Sequence, residues 1–150
     1  MSLGLALRGG LAAMGLDLSE VQQDKLLAFV ALLTKWNRTY NLTAIRDEGE
    51  MLTHHLLDSL AVVPALGKSA LAGRRWADVG SGAGLPGIPL AIACADLSLS
   101  SIKTVEKKAA FQRQARIELG LANFTVENRR VEDLPAGGFE FHVVPGDTVT

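Results

Sequence analysis

The stretch that most constrains this chain is WADVGSGAGLPGIPLA, residues 76–91, where a short apolar run ends in glycines and passes directly into a proline-bearing apolar segment. A strand that ends in Gly80, Gly82 and Gly84 and turns into a helix brings backbone amides close to a ligand, with no Cβ atoms in the way. Pro86 and Pro89 fall in the first turn of that helix, where a missing N–H costs least. A unit of this kind opens a parallel sheet.

The flanking sequence extends the pattern. Ser19 followed by Gln22 has capping-box spacing and predicts a helix start. Leu26, Phe29, Val30, Leu33, Trp36 and Tyr40 then form one apolar stripe, and core packing is favoured over RNA stacking as the role of Trp36 and Tyr40. A second helix is expected from about Glu48 to Val63, stopped by Pro64. Residues 1–66 read as a helical lobe and 67–150 as a Rossmann-like α/β sheet domain of about four parallel strands. The predicted strands are Trp76–Val79, one within Leu97–Val105, Phe124–Asn128 and Phe139–Val144, with helices over about Pro86–Ala95 and Lys107–Leu119.

Composition narrows the function classes. At 150 residues, with 48% hydrophobic and 21% charged residues, the chain can bury one ordinary core. A net charge of −1 argues against a strongly basic nucleic-acid protein. The two halves hold eight basic against seven acidic and seven against nine, so RNA contacts would have to come from local patches. Cys94 stands alone, which excludes an internal disulfide and a cysteine-based zinc cluster. The opening MSLGLALRGGLAAMGL lacks a basic n-region, and the apolar run Leu26–Leu33 is far below the ~20 residues a membrane span requires. A monomer of the reducing cytoplasm, without membrane or metal, is expected.

The glycine loop fits two cofactors. From Gly82 it spells G-x-G-x-x-G, the dinucleotide spacing; from Asp78 it spells D-x-G-x-G-x-G, which suits S-adenosyl-L-methionine. A turn with no ligand is the third possibility. S-adenosyl-L-methionine presents an amino acid and a ribose in place of a pyrophosphate, and Asp78 could approach the ammonium of that amino acid. This favours the second cofactor. Glu106 is the nearest acid for the ribose hydroxyls, though it reads equally as a solvated acid favoured by a helix dipole. Main-chain groups of Arg130-Val131-Glu132-Asp133 would lie beside the same crevice and could frame an adenine ring.

Taken together, KWNRTYNLTAIRD at 35–47, HHLLDSLAV at 54–62, DVGSGAGLPGIPLAI at 78–92 and RVED at 130–133 resemble the bacterial 16S ribosomal RNA guanine-N(7) methyltransferases, also called glucose-inhibited division protein B. The resemblance implies a class I methyltransferase sheet behind a helical N-terminal lobe. It implies methyl transfer from S-adenosyl-L-methionine to one guanine of 16S RNA in the small subunit. Carried over by position, Gly80, Leu85, Val131 and Glu132 would contact the cofactor. Guanine N7 already carries a lone pair, so no catalytic base is required and no catalytic residue is assigned. His54 and His55 therefore read as helix surface or lobe interface, while Arg38 and Arg46 are the candidates for RNA contact.

Three departures from the family pattern stand out. Lys103 occupies the position where an acid usually precedes the basic pair, and FHVVPGDTVT stands where the family has a strand followed by Ser-Arg-Ala. The remaining strands of a complete methyltransferase are missing, so a C-terminally shortened member with an exposed edge beside its fourth strand is expected. A noncatalytic module that keeps cofactor or RNA binding is the alternative, with a nicotinamide-dependent oxidoreductase behind it.

Overall fold

A computed structural model describes residues 2–67, 73, 75–79, 84, 85, 87–102, 106–127 and 141–143, with only the backbone described for Val79 and 141–143. Helix α1 (Leu3–Ala13) lies where the sequence showed only mild apolarity. It forms because Leu7 and Leu11, four apart, bury one face and Ser2 caps the N-terminus through its hydroxyl. Gly10 lets the helix approach its neighbour: a Cβ there would lie 2.8 Å from Leu57 Cδ2.

Helix α2 (Glu20–Tyr40) begins as its capping box predicts, with Ser19 Oγ accepting the Gln22 amide at 3.1 Å and Gln22 Oε1 accepting the Ser19 amide at 2.9 Å. Leu26, Phe29, Val30 and Leu33 are buried, and Trp36 is partly buried against the same core. Tyr40 departs from the expectation: it is 42% exposed. Its ring leans on Trp36 at 5.3 Å, one turn back on the same helix, where the stripe reaches the surface.

The expected second helix is built from four pieces. Helix α3 (Glu48–Glu50), a π-helical segment (Met51–Leu57), α4 (Asp58–Leu60) and α5 (Val62–Leu66) follow one another. Pro64 does not end the run, contrary to expectation. Pro64 has no amide for the Leu60 carbonyl, so the chain turns at Ala61 and restarts, leaving Pro64 third in α5, where no intrahelical donor is needed. Met51, Leu52, Leu56, Leu60 and Val63 still face inward, as expected.

The remainder alternates strands and helices: β1 (Arg75–Val79), α6 (Gly87–Ala93), β2 (Ser98–Ile102), α7 (Glu106–Leu119), β3 (Phe124–Glu127) and β4 (Phe141–Val143). All described pairings are parallel, in the order β3-β2-β1-β4, which is the expected α/β class. Serine-rich β2 is a strand because its polar groups find places: Ser100 shares a 3.0 Å hydrogen bond with Thr125 on β3, while Leu99 and Ile102 are buried.

One core runs from the N-terminal helices into the sheet region. Phe111 of α7 meets Phe29 at 6.1 Å and Trp36 at 5.7 Å between ring centres. Helix α6 is tied at its far end: Gln22 Nε2 donates to the carbonyls of Ile92 and Ala93, and Asn123 Nδ2 reaches those of Ala91, Cys94 and Leu97. The carbonyls of Ala91, Ile92 and Ala93 are among the acceptors a helix leaves open at its C-terminus, and that of Leu97 belongs to the segment before β2. No described helix is long and apolar enough to cross a membrane.

Candidate functional site at the ends of the parallel strands

Strand β1 has β2 on one side and β4 on the other, so the strand order reverses beside β1. In open α/β sheets this switch point forms the ligand crevice. Asp78 and Val79 close β1 there, and the Gly84–Gly87 turn leads into α6.

Asp78 is 1% exposed, and its Oδ2 accepts the Gly87 amide at 3.2 Å. This oxygen is thus committed to the first amide of α6. A Cβ on Gly87 would sit 2.8 Å from that oxygen and 3.3 Å from Phe124 Cε1, so only glycine permits the approach. Gly84 is buried at φ +78°, a left-handed conformation, and a Cβ there would run into Ile88. Leu85 is partly buried against the core. The two glycines therefore form a backbone cradle held from below by a carboxylate, packed too closely on Ile88 and Asp78 to admit a Cβ.

Glu106 is the first residue of α7, exposed, with its carboxylate 3.5 Å from Arg113 on the same helix. It thus meets the description of a solvated first-turn acid, at the helix end that follows the C-terminal end of β2. Gly80, Gly82, Val131 and Glu132 lie outside the described residues, as do Lys103 and Arg130. Arg38 and Arg46 are exposed and away from the glycine turn in sequence, Arg38 in the last turn of α2 and Arg46 in the loop that follows it. The Arg46 guanidinium donates to the Asn41 carboxamide oxygen.

Several polar residues escaped the sequence reading. Ser101 on β2 is fully buried and pairs in register with Asp78. Gln112 is buried on α7 and would touch a Cβ on Gly84 through its own Cγ at 3.6 Å. A glutamine following Phe111 inside a buried stripe was the available signal. Buried Asn37 accepts the Thr43 amide and donates to the Ile45 carbonyl, folding the 41–46 loop onto the end of α2.

The two histidines separate as expected for neighbours on a helix. His54 is exposed, while His55 Nε2 lies 2.8 Å from Thr43 Oγ1. Burial, reinforced by the neighbouring His54 and opposed by Asp58, holds His55 below its ordinary pKa of 6.5. Among the described residues no group of His, Cys, Asp and Glu is arranged to hold a metal.

The family described as GidB, rRNA small subunit methyltransferase G, matches residues 22–145. The chain belongs to this family. Among its relatives, the ribosomal RNA small subunit methyltransferase G of Aromatoleum aromaticum is 62% identical over 133 residues, covering 85% of this chain and 61% of that protein. The Azoarcus sp. BH72 protein is 60% identical over 128 residues, covering 85% and 58%. That of Acidovorax ebreus is 55% identical over 148 residues, covering 93% and 65%. The chain thus spans about three fifths of the length of the methyltransferase G relatives it matches.

Proposed function

We propose that this chain is an S-adenosyl-L-methionine-dependent ribosomal RNA methyltransferase that acts on N(7) of a guanine in 16S RNA. The observation that carries the proposal is the coincidence of the family match over residues 22–145 with a glycine turn at the switch point of the sheet. What supports the cofactor is the backbone of the turn: Gly84 takes a left-handed conformation, and Gly87 packs too closely on Asp78 to carry a side chain, so the strand-to-helix connection is shaped by main chain. When bound, the cofactor supplies a sulfonium-activated methyl group.

In this reading Gly80, Gly82, Gly84 and Leu85 form the cofactor wall. Glu106 accepts from the ribose hydroxyls, and Val131 and Glu132 flank the adenine. Asp78 supports the wall from beneath through the Gly87 amide. Guanine N7 attacks with its own lone pair as the carbon–sulfur bond breaks, leaving a thioether and a cationic base. The protein's task is alignment, which can supply several kcal/mol of the barrier, on the order of ~7–11 in well-oriented systems. Arg38 and Arg46 carry the RNA backbone, and the protein works as a cytoplasmic monomer.

A second reading, cofactor or RNA binding without turnover, is favoured by one observation. FHVVPGDTVT stands where the family pattern has a strand followed by Ser-Arg-Ala. Incubation with methyl-labelled S-adenosyl-L-methionine and unmodified small subunits separates the two. Label at one guanine N7 supports the enzyme; bound cofactor without label, beside an active relative of full length, supports the second reading.

A further inference from the structure

We propose that Tyr40 is a stacking platform for an unpaired base of the RNA substrate. The inference rests on the ribosomal RNA reading above and adds to its Arg38 and Arg46 contacts a residue, Tyr40, to which that reading assigned no role. Three aromatic rings lead from the interior outward: Phe111 packs on Trp36 at 5.7 Å, and Trp36 on Tyr40 at 5.3 Å. The last ring is 42% exposed. Backed by Trp36, it is held in place at little further entropic cost, as a planar group must be to receive a base.

The charge beside the ring suits the same partner. Asn41, the next residue, holds the Arg46 guanidinium, and Arg38 projects from the last turn of α2. Among the described residues neither guanidinium is paired with a carboxylate. The acids that follow in sequence open the next helix, where Asp47 caps the Glu50 amide. A planar face with two available guanidinium groups nearby matches a base and its flanking phosphates.

The position also suits substrate delivery. Helix α2 begins at the end of α6 farthest from the glycine turn, where Gln22 meets Ile92 and Ala93. Tyr40 lies eighteen residues along it, roughly 27 Å at 1.5 Å per residue. Trp36 meets α7 at Phe111, five residues from the Glu106 start of that helix beside the crevice.

Fluorescence anisotropy with a labelled single-stranded oligoadenylate, and with the corresponding RNA duplex, tests the platform. The chain should bind the single strand more tightly than the duplex. Tyr40→Ala should weaken single-strand binding by about 5- to 150-fold, the range expected for loss of one stacked base, and Tyr40→Phe should restore it. Melting temperature and S-adenosyl-L-methionine affinity should stay at wild-type values. If Tyr40→Ala lowers the melting temperature, Tyr40→Leu, which keeps an apolar contact with Trp36 but has no planar face, should show the same loss of RNA affinity. Single-strand binding unchanged in Tyr40→Ala, or in Tyr40→Leu where that variant is needed, overturns the platform alone. A wild-type chain that binds no RNA overturns both the platform and the ribosomal RNA reading.

Discussion

The buried carboxylate of Asp78, at the end of β1, accepts the backbone N–H of Gly87, at the start of α6, across 3.2 Å. One oxygen thereby links strand, turn and helix, and Gly87 has no Cβ because that oxygen occupies its place. Asp78→Ala should destabilise the fold by about 1–3 kcal/mol, the cost of leaving a buried donor unpaired. Asp78→Asn keeps an acceptor of the same shape and should lose less. Thermal or denaturant unfolding of the two variants checks the order.

Gly87→Ala should also destabilise, by about 1–3 kcal/mol, because the added methyl meets Asp78 and Phe124 in a packed interior. Gly9→Ala is the control: a Cβ there meets nothing within 4 Å, in a helix that alanine favours. That substitution should be neutral or stabilising by up to about 1 kcal/mol. Equal melting temperatures for the two variants would refute the close approach at Gly87.

Gln22 serves two helix ends at once. Its Oε1 completes the α2 capping box, while its Nε2 donates to the last carbonyls of α6. Gln22→Glu preserves the box and places a carboxylate oxygen against those carbonyls. It should therefore destabilise the protein, although glutamate is a favoured capping-box residue. A Gln22→Glu variant that melts at the wild-type temperature or above would show that the α6 contact carries no weight.

His55 makes stability depend on pH. Burial lowers its folded pKa below the unfolded 6.5, so the unfolded chain takes up the proton first as pH falls. Its contribution is fully present above about pH 6.5 and is lost as pH drops through the folded value. The stability difference between wild type and His55→Gln should shift against the wild type on acidification and level off below the folded pKa. Denaturant titrations from pH 8 to pH ~4 measure this.

Legibility in the sequence followed periodicity. Ser19 and Gln22 announced α2, and the alternation of short strands with helices after residue 75 announced the parallel sheet. Helix α1 was obscured because Gly4, Gly9 and Gly10 lower helix propensity, and its face is read only against the Leu57 contact. Pro64 misled because a proline ends one helix yet suits the first turn of the next. Tyr40 continued the apolar stripe in spacing but lies where α2 runs out of cover.

Within the site, the glycines and Asp78 were visible as a motif, but the direction of the carboxylate was not. It is turned toward the Gly87 amide nine residues on, a contact that sequence spacing does not encode. Gln112 and Ser101 were hidden for a related reason. Each is an ordinary polar residue whose burial beside the turn follows only from strand register and helix packing.

The central claim, that the Gly84–Gly87 cradle at the end of β1 holds S-adenosyl-L-methionine, is tested most directly by isothermal titration calorimetry of this chain. The account predicts saturable one-site binding of S-adenosyl-L-methionine, no heat with a nicotinamide dinucleotide, and loss of binding in Gly84→Val, where the side chain would meet Ile88 at a left-handed backbone. Binding of the dinucleotide instead, or undiminished S-adenosyl-L-methionine affinity in a folded Gly84→Val chain, would contradict it.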